Sequence, residues 1–168
     1  MSLFRRTIEI DINPGAEGEL ILLTTLMDMY HDIRLTLHIS SETYQITDVS
    51  LDMKRIPHPN CPAIEAKMHR LAGAQVGPGF TKQVLAVLGG EQGCPNLTNL
   101  VMLTAPLAMN AAAVLKQQRE NLSEEEMDAL WQQVLGGVCI SYPKQEGEGN
   151  RNEQKEVNQA AKNSVDAL

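Results

Sequence analysis

The 168-residue chain is poor in several residues and motifs, and each shortage excludes something. Aromatics are scarce, with two Phe, three Tyr and one Trp, so Ile, Leu, Val, Met and Ala must fill the interior. Basic residues are outnumbered and the formal net charge is −7. That argues against nucleic acid as a partner, because a phosphate backbone calls for a basic face. No apolar run approaches the roughly 20 residues of a membrane span. "MSLFRRTIEIDI" has two arginines with no apolar stretch behind them, unlike a secretory leader. A cytoplasmic location is the resulting expectation. Cysteines number only three, Cys61, Cys94 and Cys139, and a reducing compartment would keep this odd number as thiols. There is no CxxC, HExxH, GxxxxGK[ST] or GxSxG motif and no long repeat, which weakens zinc-finger, nucleotide and common hydrolase readings.

What is present divides into two halves. The first half alternates with a period of two. Ile8, Ile10 and Ile12 face one way, with Thr7, Glu9 and Asp11 opposite, and "NPGAEG" is a turn by composition. "ELILLTTLM" is apolar on both sides, as a central strand would be. In "IRLTLHIS" Ile33, Leu35, Leu37 and Ile39 oppose Arg34, Thr36, His38 and Ser40. In "YQITDVSLDM" the phase slips, which a bulge near Thr47-Asp48 explains. Short connections between these segments predict an antiparallel meander of about four strands.

The second half switches to helical spacing. Ile64, Met68 and Leu71 predict one helix, Phe80, Val84, Val87 and Leu88 a second. Leu97 through Leu115 predict a long third helix kinked at Pro106. Ser123 and Glu126 form a capping box ahead of Met127, Leu130, Trp131 and Val134, and Gly136-Gly137 ends that helix. Strands followed by helices predict an α+β fold with helices on one face of the sheet. The expected organisation is one domain over residues 1–143 and a polar, mobile tail over 144–168, with a short helix around Glu156 to Ala161.

Two cysteines precede proline, in "HPNCPAIEA" and "GCPNLTNL". Proline is favoured at the first helical position, which places Cys61 and Cys94 at helix N-caps. Unpaired amides and the positive dipole end there favour a thiolate, both a nucleophile and a metal ligand. Cysteine is also a common small hydrophobe, and Cys139 in "GGVCISY" reads as packing. His31 and Asp32 stand where a strand begins and are the nearest nitrogen and oxygen donors. His58, three residues before Cys61, adds a weaker ligand-like spacing, whereas His38 and His69 read as polar-face residues.

"YHDIRLTLHIS", "CPAIEAKMHRLAGAQVGPGF" and "LGGEQGCPNLTNLV" together resemble a bacterial family, domain of unknown function 2889. Its members share the order His-Asp before a strand, Cys-Pro, a GxGF-like segment and Gly-Cys with Leu-Thr nearby. The family often carries a histidine two residues after the second cysteine, where this chain has Asn96. The layout also resembles NifU/SufE-type iron–sulfur scaffold and sulfur-acceptor proteins. That resemblance implies an Asp at a strand start and cysteines opening successive helices, which Asp32, Cys61 and Cys94 match. Tyr30 stands where those scaffolds have their first cysteine, and Gly93 where they commonly have His.

Three functions compete on this reading. One is a metal- or sulfur-handling module in which His31, Asp32, Cys61 and Cys94 hold zinc or an iron–sulfur centre. Another is a thiol enzyme or persulfide acceptor with Cys61 carrying the reacting sulfur. The third is a non-catalytic interaction protein with structural cysteines and a protein partner. Oligomeric state is left open by the sequence.

Overall fold

The period-two segments form four strands in the computed structural model, which describes residues 2–144. They are β1 (Thr7–Pro14), β2 (Glu19–Met27), β3 (Asp32–Ser40) and β4 (Ile46–Arg55). All neighbours are antiparallel and the spatial order is β1-β2-β3-β4, the expected meander. One face of the sheet is dry: Leu20, Leu22, Leu26, Ile33, Leu35, Leu37, Ile39 and Val49 are buried there. The opposite face is mixed, with Ile21, Leu23 and Met27 of β2 set among polar and charged side chains of the neighbouring strands. Register aligns Glu9, Thr25, Arg34 and Asp52 across the four strands, so opposite charges neighbour one another.

The phase slip in β4 is a bulge. His38 pairs with Asp48 and Ile39 with Ile46, leaving Thr47 as the extra residue. Without it Ile46 and Val49, both buried, would point to opposite faces. A second slip was not anticipated. Asp32 pairs with Arg55 and Ile33 with Met53, which leaves Lys54 unpaired at the other end of β4.

β1 differs from its expected burial. Ile8 is 39% exposed, and Ile10 and Ile12 are only half-buried. An edge strand has a partner on one side only, and here it meets helix along part of its length.

The helices lie against the dry face. Residues 61–71 wind as a 3₁₀ turn (Cys61–Ile64), one α turn, α1 (Glu65–Met68), and a second 3₁₀ turn (His69–Leu71). They bury Ile64, Met68 and Leu71, the predicted stripe. Then come α2 (Phe80–Leu88), α3 (Pro95–Thr104) and α4 (Leu107–Glu120). Gly79 precedes α2 at φ +85°, a conformation that disfavours any side chain. The long helix expected from Leu97 to Leu115 is divided at Ala105-Pro106, as a missing backbone donor requires. Counted through that break, Pro95–Glu120 is long and apolar enough to cross a membrane by length and composition. Its buried residues Leu97, Leu100, Val101, Ala105 and Ala108 belong to the core shared with the sheet.

A hydroxyl pair crosses the interface between sheet and helix. Thr24 on β2 and Thr104 at the end of α3 are fully buried, and their Oγ1 atoms lie 2.6 Å apart. Each satisfies the other, and among the described residues no buried side-chain nitrogen or oxygen lacks a partner.

The chain divides into two compact units, Met1–Glu120 and Asn121–Leu168. The described part of the second holds α5 (Glu124–Leu135), opened by the predicted capping box. The Glu126 amide donates to Ser123 Oγ, and Glu126 Oε2 accepts from the Ser123 amide. The Ser123 amide, and after it the Ser123 hydroxyl, hold the Glu126 carboxyl below its ordinary range. Cys139 lies in a turn bridged to Tyr142. The expected tail helix around Glu156 to Ala161 falls outside the described residues, as does the tail itself beyond Lys144.

Candidate functional site

At the end of the sheet where β3 begins and β4 finishes, a cavity of about 600 Å3 opens in the first unit. Its lining includes His31, Cys61 and Cys94, three of the four residues singled out from sequence, together with His58, Lys67 and Asn96. Ile33, Met53 and Ile64 supply apolar wall. Asp32 is not part of the lining; it opens β3, paired with Met27 and Arg55.

The two Cys-Pro segments differ. Cys94 is the N-cap of the ten-residue α3 with Pro95 at its first position, as expected. The amides of Asn96 and Leu97 in that first turn have no carbonyl within the helix. Cys61 is not an N-cap. Asn60 holds that position, and Cys61 is the first residue of a four-residue 3₁₀ turn, its amide already donating to the His58 carbonyl at 3.0 Å. Pro62 is the second residue of its segment and Pro95 the first of α3; the Cys61 segment winds on through Leu71 as mixed 3₁₀ and α turns, whereas α3 is one regular α-helix.

Gly93 fixes the approach to Cys94. A Cβ there would lie 2.0 Å from the Leu88 carbonyl oxygen. That oxygen accepts from the Cys94 amide at 3.0 Å and from Thr98 Oγ1 at 3.1 Å. The loop therefore folds tightly back onto the end of α2, and only glycine fits. Lys67 ties the other wall to the same loop by donating to the Gln92 carbonyl at 2.8 Å.

His31 is held by Asp28, which sequence reasoning did not select. Asp28 Oδ1 accepts from the amides of Tyr30 and His31, both at 2.8 Å, forming a turn of the kind aspartate side chains favour. The same carboxylate takes His31 Nδ1 at 3.0 Å and two donors of Arg6, Nε at 2.9 Å and Nη2 at 2.6 Å. Its side chain is fully buried. Burial opposes ionisation, but the Tyr30 amide, Arg6, and the His31 ring and amide outweigh it. Together they hold the carboxyl far below the usual carboxylate range. Arg55, beside the Lys54 slip, donates to the carbonyls of Asp28 at 2.8 Å and His31 at 3.2 Å, so a bulge places a clamp on the turn. On the far side of the ring, His31 Nε2 meets Asn96 Nδ2 at 3.1 Å, while Asn96 Oδ1 accepts from Arg6 Nη1 at 3.0 Å.

This donor set does not suit a zinc ion or an iron–sulfur centre as arranged. Among the described residues no group of three or more His, Cys, Asp and Glu side chains is gathered to hold a metal ion. Asp32 stands apart from the cavity lining, and the free nitrogen of His31 already has Asn96 as a partner.

A family model described as "Protein of unknown function (DUF2889)" matches residues 19–110, more than half of the chain. The chain belongs to this family. The DUF2889 segment contains Asp28, His31, Cys61, Cys94 and Asn96, whereas Arg6 lies ahead of it and α5 beyond it. No curated protein and no solved structure matches the chain, so the NifU/SufE likeness rests on sequence layout alone. The DUF2889 description names no activity, and function must be argued from the cavity itself.

Proposed function

We propose that the cavity is a thiol site that accepts and carries sulfur, with Cys94 as the accepting residue. The observation that supports this most is that two free thiols and an oriented imidazole line one cavity. Cys94 is preferred over Cys61 because it holds the N-cap position of a regular α-helix, where the positive end of the dipole favours negative charge on its sulfur. Cys61, already inside its 3₁₀ turn with its amide bonded to the His58 carbonyl, is the second thiol of the cavity. The reaction is an exchange with a low-molecular-weight or protein persulfide. The Cys94 sulfur gives up its proton and attacks the terminal sulfur of the donor. The donor's S–S bond breaks, a new one forms to Cys94, and the donor leaves as a thiol carrying the released proton. His31, oriented by Asp28, takes the proton and returns it in this reading; His58 is the other imidazole of the lining.

The test uses the full chain and a small-molecule persulfide donor, read by intact-mass spectrometry before and after reduction. Wild type should gain one reducible sulfur, Cys61→Ser should still gain it, and Cys94→Ser should not. Iodoacetamide should label Cys94 in the folded protein. If neither thiol takes sulfur and both alkylate only after unfolding, the cysteines are structural. The interaction-protein reading then takes over, with partner binding surviving both substitutions. Zinc or iron retained after anaerobic purification, and lost in both cysteine variants, would replace sulfur carriage with metal binding.

A further inference from the structure

Arg6, Asp28, His31 and Asn96 close a ring of hydrogen bonds whose chemistry leaves one arrangement of protons. Arg6 has donors only, so the Asn96 atom 3.0 Å from its Nη1 is the carbonyl oxygen. The amide nitrogen then faces His31 Nε2 at 3.1 Å, and an amide NH2 donates. Nε2 is therefore the ring nitrogen without a proton. On the other side ionised Asp28 only accepts, which puts a proton on Nδ1; with Nε2 bare, the ring is the neutral Nδ1–H form. Reversing the Asn96 amide would set donor against donor at Arg6.

We infer that Asn96 is a positioning residue that holds His31 as the neutral Nδ1–H tautomer and caps the Nε2 lone pair until the ring is needed as a base. Asp28 and Arg55 fix the ring and its turn; among the described residues Asn96 is the one that meets the reactive nitrogen. Asn96 is the second residue of α3, two after Cys94, and lines the same cavity as that cysteine and His31. Releasing the amide exposes a lone pair in the cavity that the thiol lines. Proton transfer is then coupled to occupancy of the cavity. The tautomer stands on geometry alone, and only the use of the freed nitrogen rests on the sulfur-acceptor reading.

The full chain labelled with 15N-histidine gives the first readout, with His31 assigned by the signals missing from His31→Gln. Near neutral pH the Nδ1 signal should be of the protonated kind and Nε2 of the unprotonated kind. Asn96→Asp, which replaces the donor by an acceptor, should protonate Nε2 and give the imidazolium pattern. Asn96→Ala should shift Nε2 and raise acylation of His31 by diethyl pyrocarbonate about fivefold, the effect of one neutral hydrogen bond. A wild-type ring protonated on Nε2 would overturn the inference even if the variants did not fold. So would Asn96→Ala that folds and changes neither the Nε2 signal nor the acylation rate. The expected tautomer without persulfide on Cys94 would sink the sulfur-acceptor reading and leave this one standing. Persulfide on Cys94 with the other tautomer would do the reverse.

Discussion

Asp28, in the turn just after β2, and Thr24, on the dry face of β2, are buried polar residues, and each is made tolerable by named partners. Asp28 was not legible in the sequence, where Asp32 stands next to His31 as the nearest carboxylate. Successive strand residues point to opposite faces, however, and the residue three earlier turns back to the ring through the Asp28–His31 turn. The Asp-x-x-His spacing after an apolar strand was the available signal. Asp28→Asn should cost roughly 2–3 kcal/mol at neutral pH, since hydrogen bonds to a charged group are being weakened. The folded carboxyl is held low, so its contribution is complete above the unfolded carboxylate range near pH 4. It is lost as pH falls below that range toward the folded value. Urea midpoints of wild type and variant should therefore differ by a constant gap near neutrality and converge in acid; a gap that widened in acid would refute the assignment. At the Thr24–Thr104 pair, either Thr→Val alone should cost about 1–3 kcal/mol by leaving a buried hydroxyl unpaired. The double variant should recover most of that loss, and a double-mutant cycle measures the coupling.

Elements were easier to read than their interruptions. Alternation located three strands and a two-sided apolar run the central β2, while i, i+4 spacing located the helices, because each pattern reports which faces are buried. The Thr47 bulge was visible since it breaks the phase of Ile46 and Val49 inside one strand. The Lys54 slip was not, because no buried residue follows it to reveal a change of face. Deleting Thr47 should force Ile46 or the Val49–Met53 run onto the wet face, giving a large loss of cooperativity in thermal unfolding. Deletion with an unchanged melting curve would mean the bulge is not what keeps that register. The two Cys-Pro segments make the same point for helices. Proline marked both segments, but the position of each cysteine, N-cap of α3 for Cys94 and first residue of a 3₁₀ turn for Cys61, decides how it faces the helix start.

At the scale of the molecule, a four-strand sheet buries one face under helices and keeps the other mixed. Leu35 lies at the centre of the dry face, fully buried. Leu35→Ala should cost about 2–5 kcal/mol by leaving a cavity that neighbours fill only in part, a large fraction of the usual 5–15 kcal/mol of a domain. Denaturant titration checks it, and a change below 1 kcal/mol would contradict the close packing described here. The sequence by itself determined the α+β class, the meander and the candidate cysteines, because periodicity and proline act over a few residues. Tertiary structure alone decided that Cys61, Cys94 and His31 share a cavity, that Asp28 and not Asp32 orients the ring, and that Asn96 faces it. Those partners come from the turn between β2 and β3, the 3₁₀ turn at Cys61 and the start of α3, and Arg6 from ahead of β1. Separations of up to 90 residues carry no local pattern, and only the closing of helices over the sheet brings such groups within hydrogen-bonding reach.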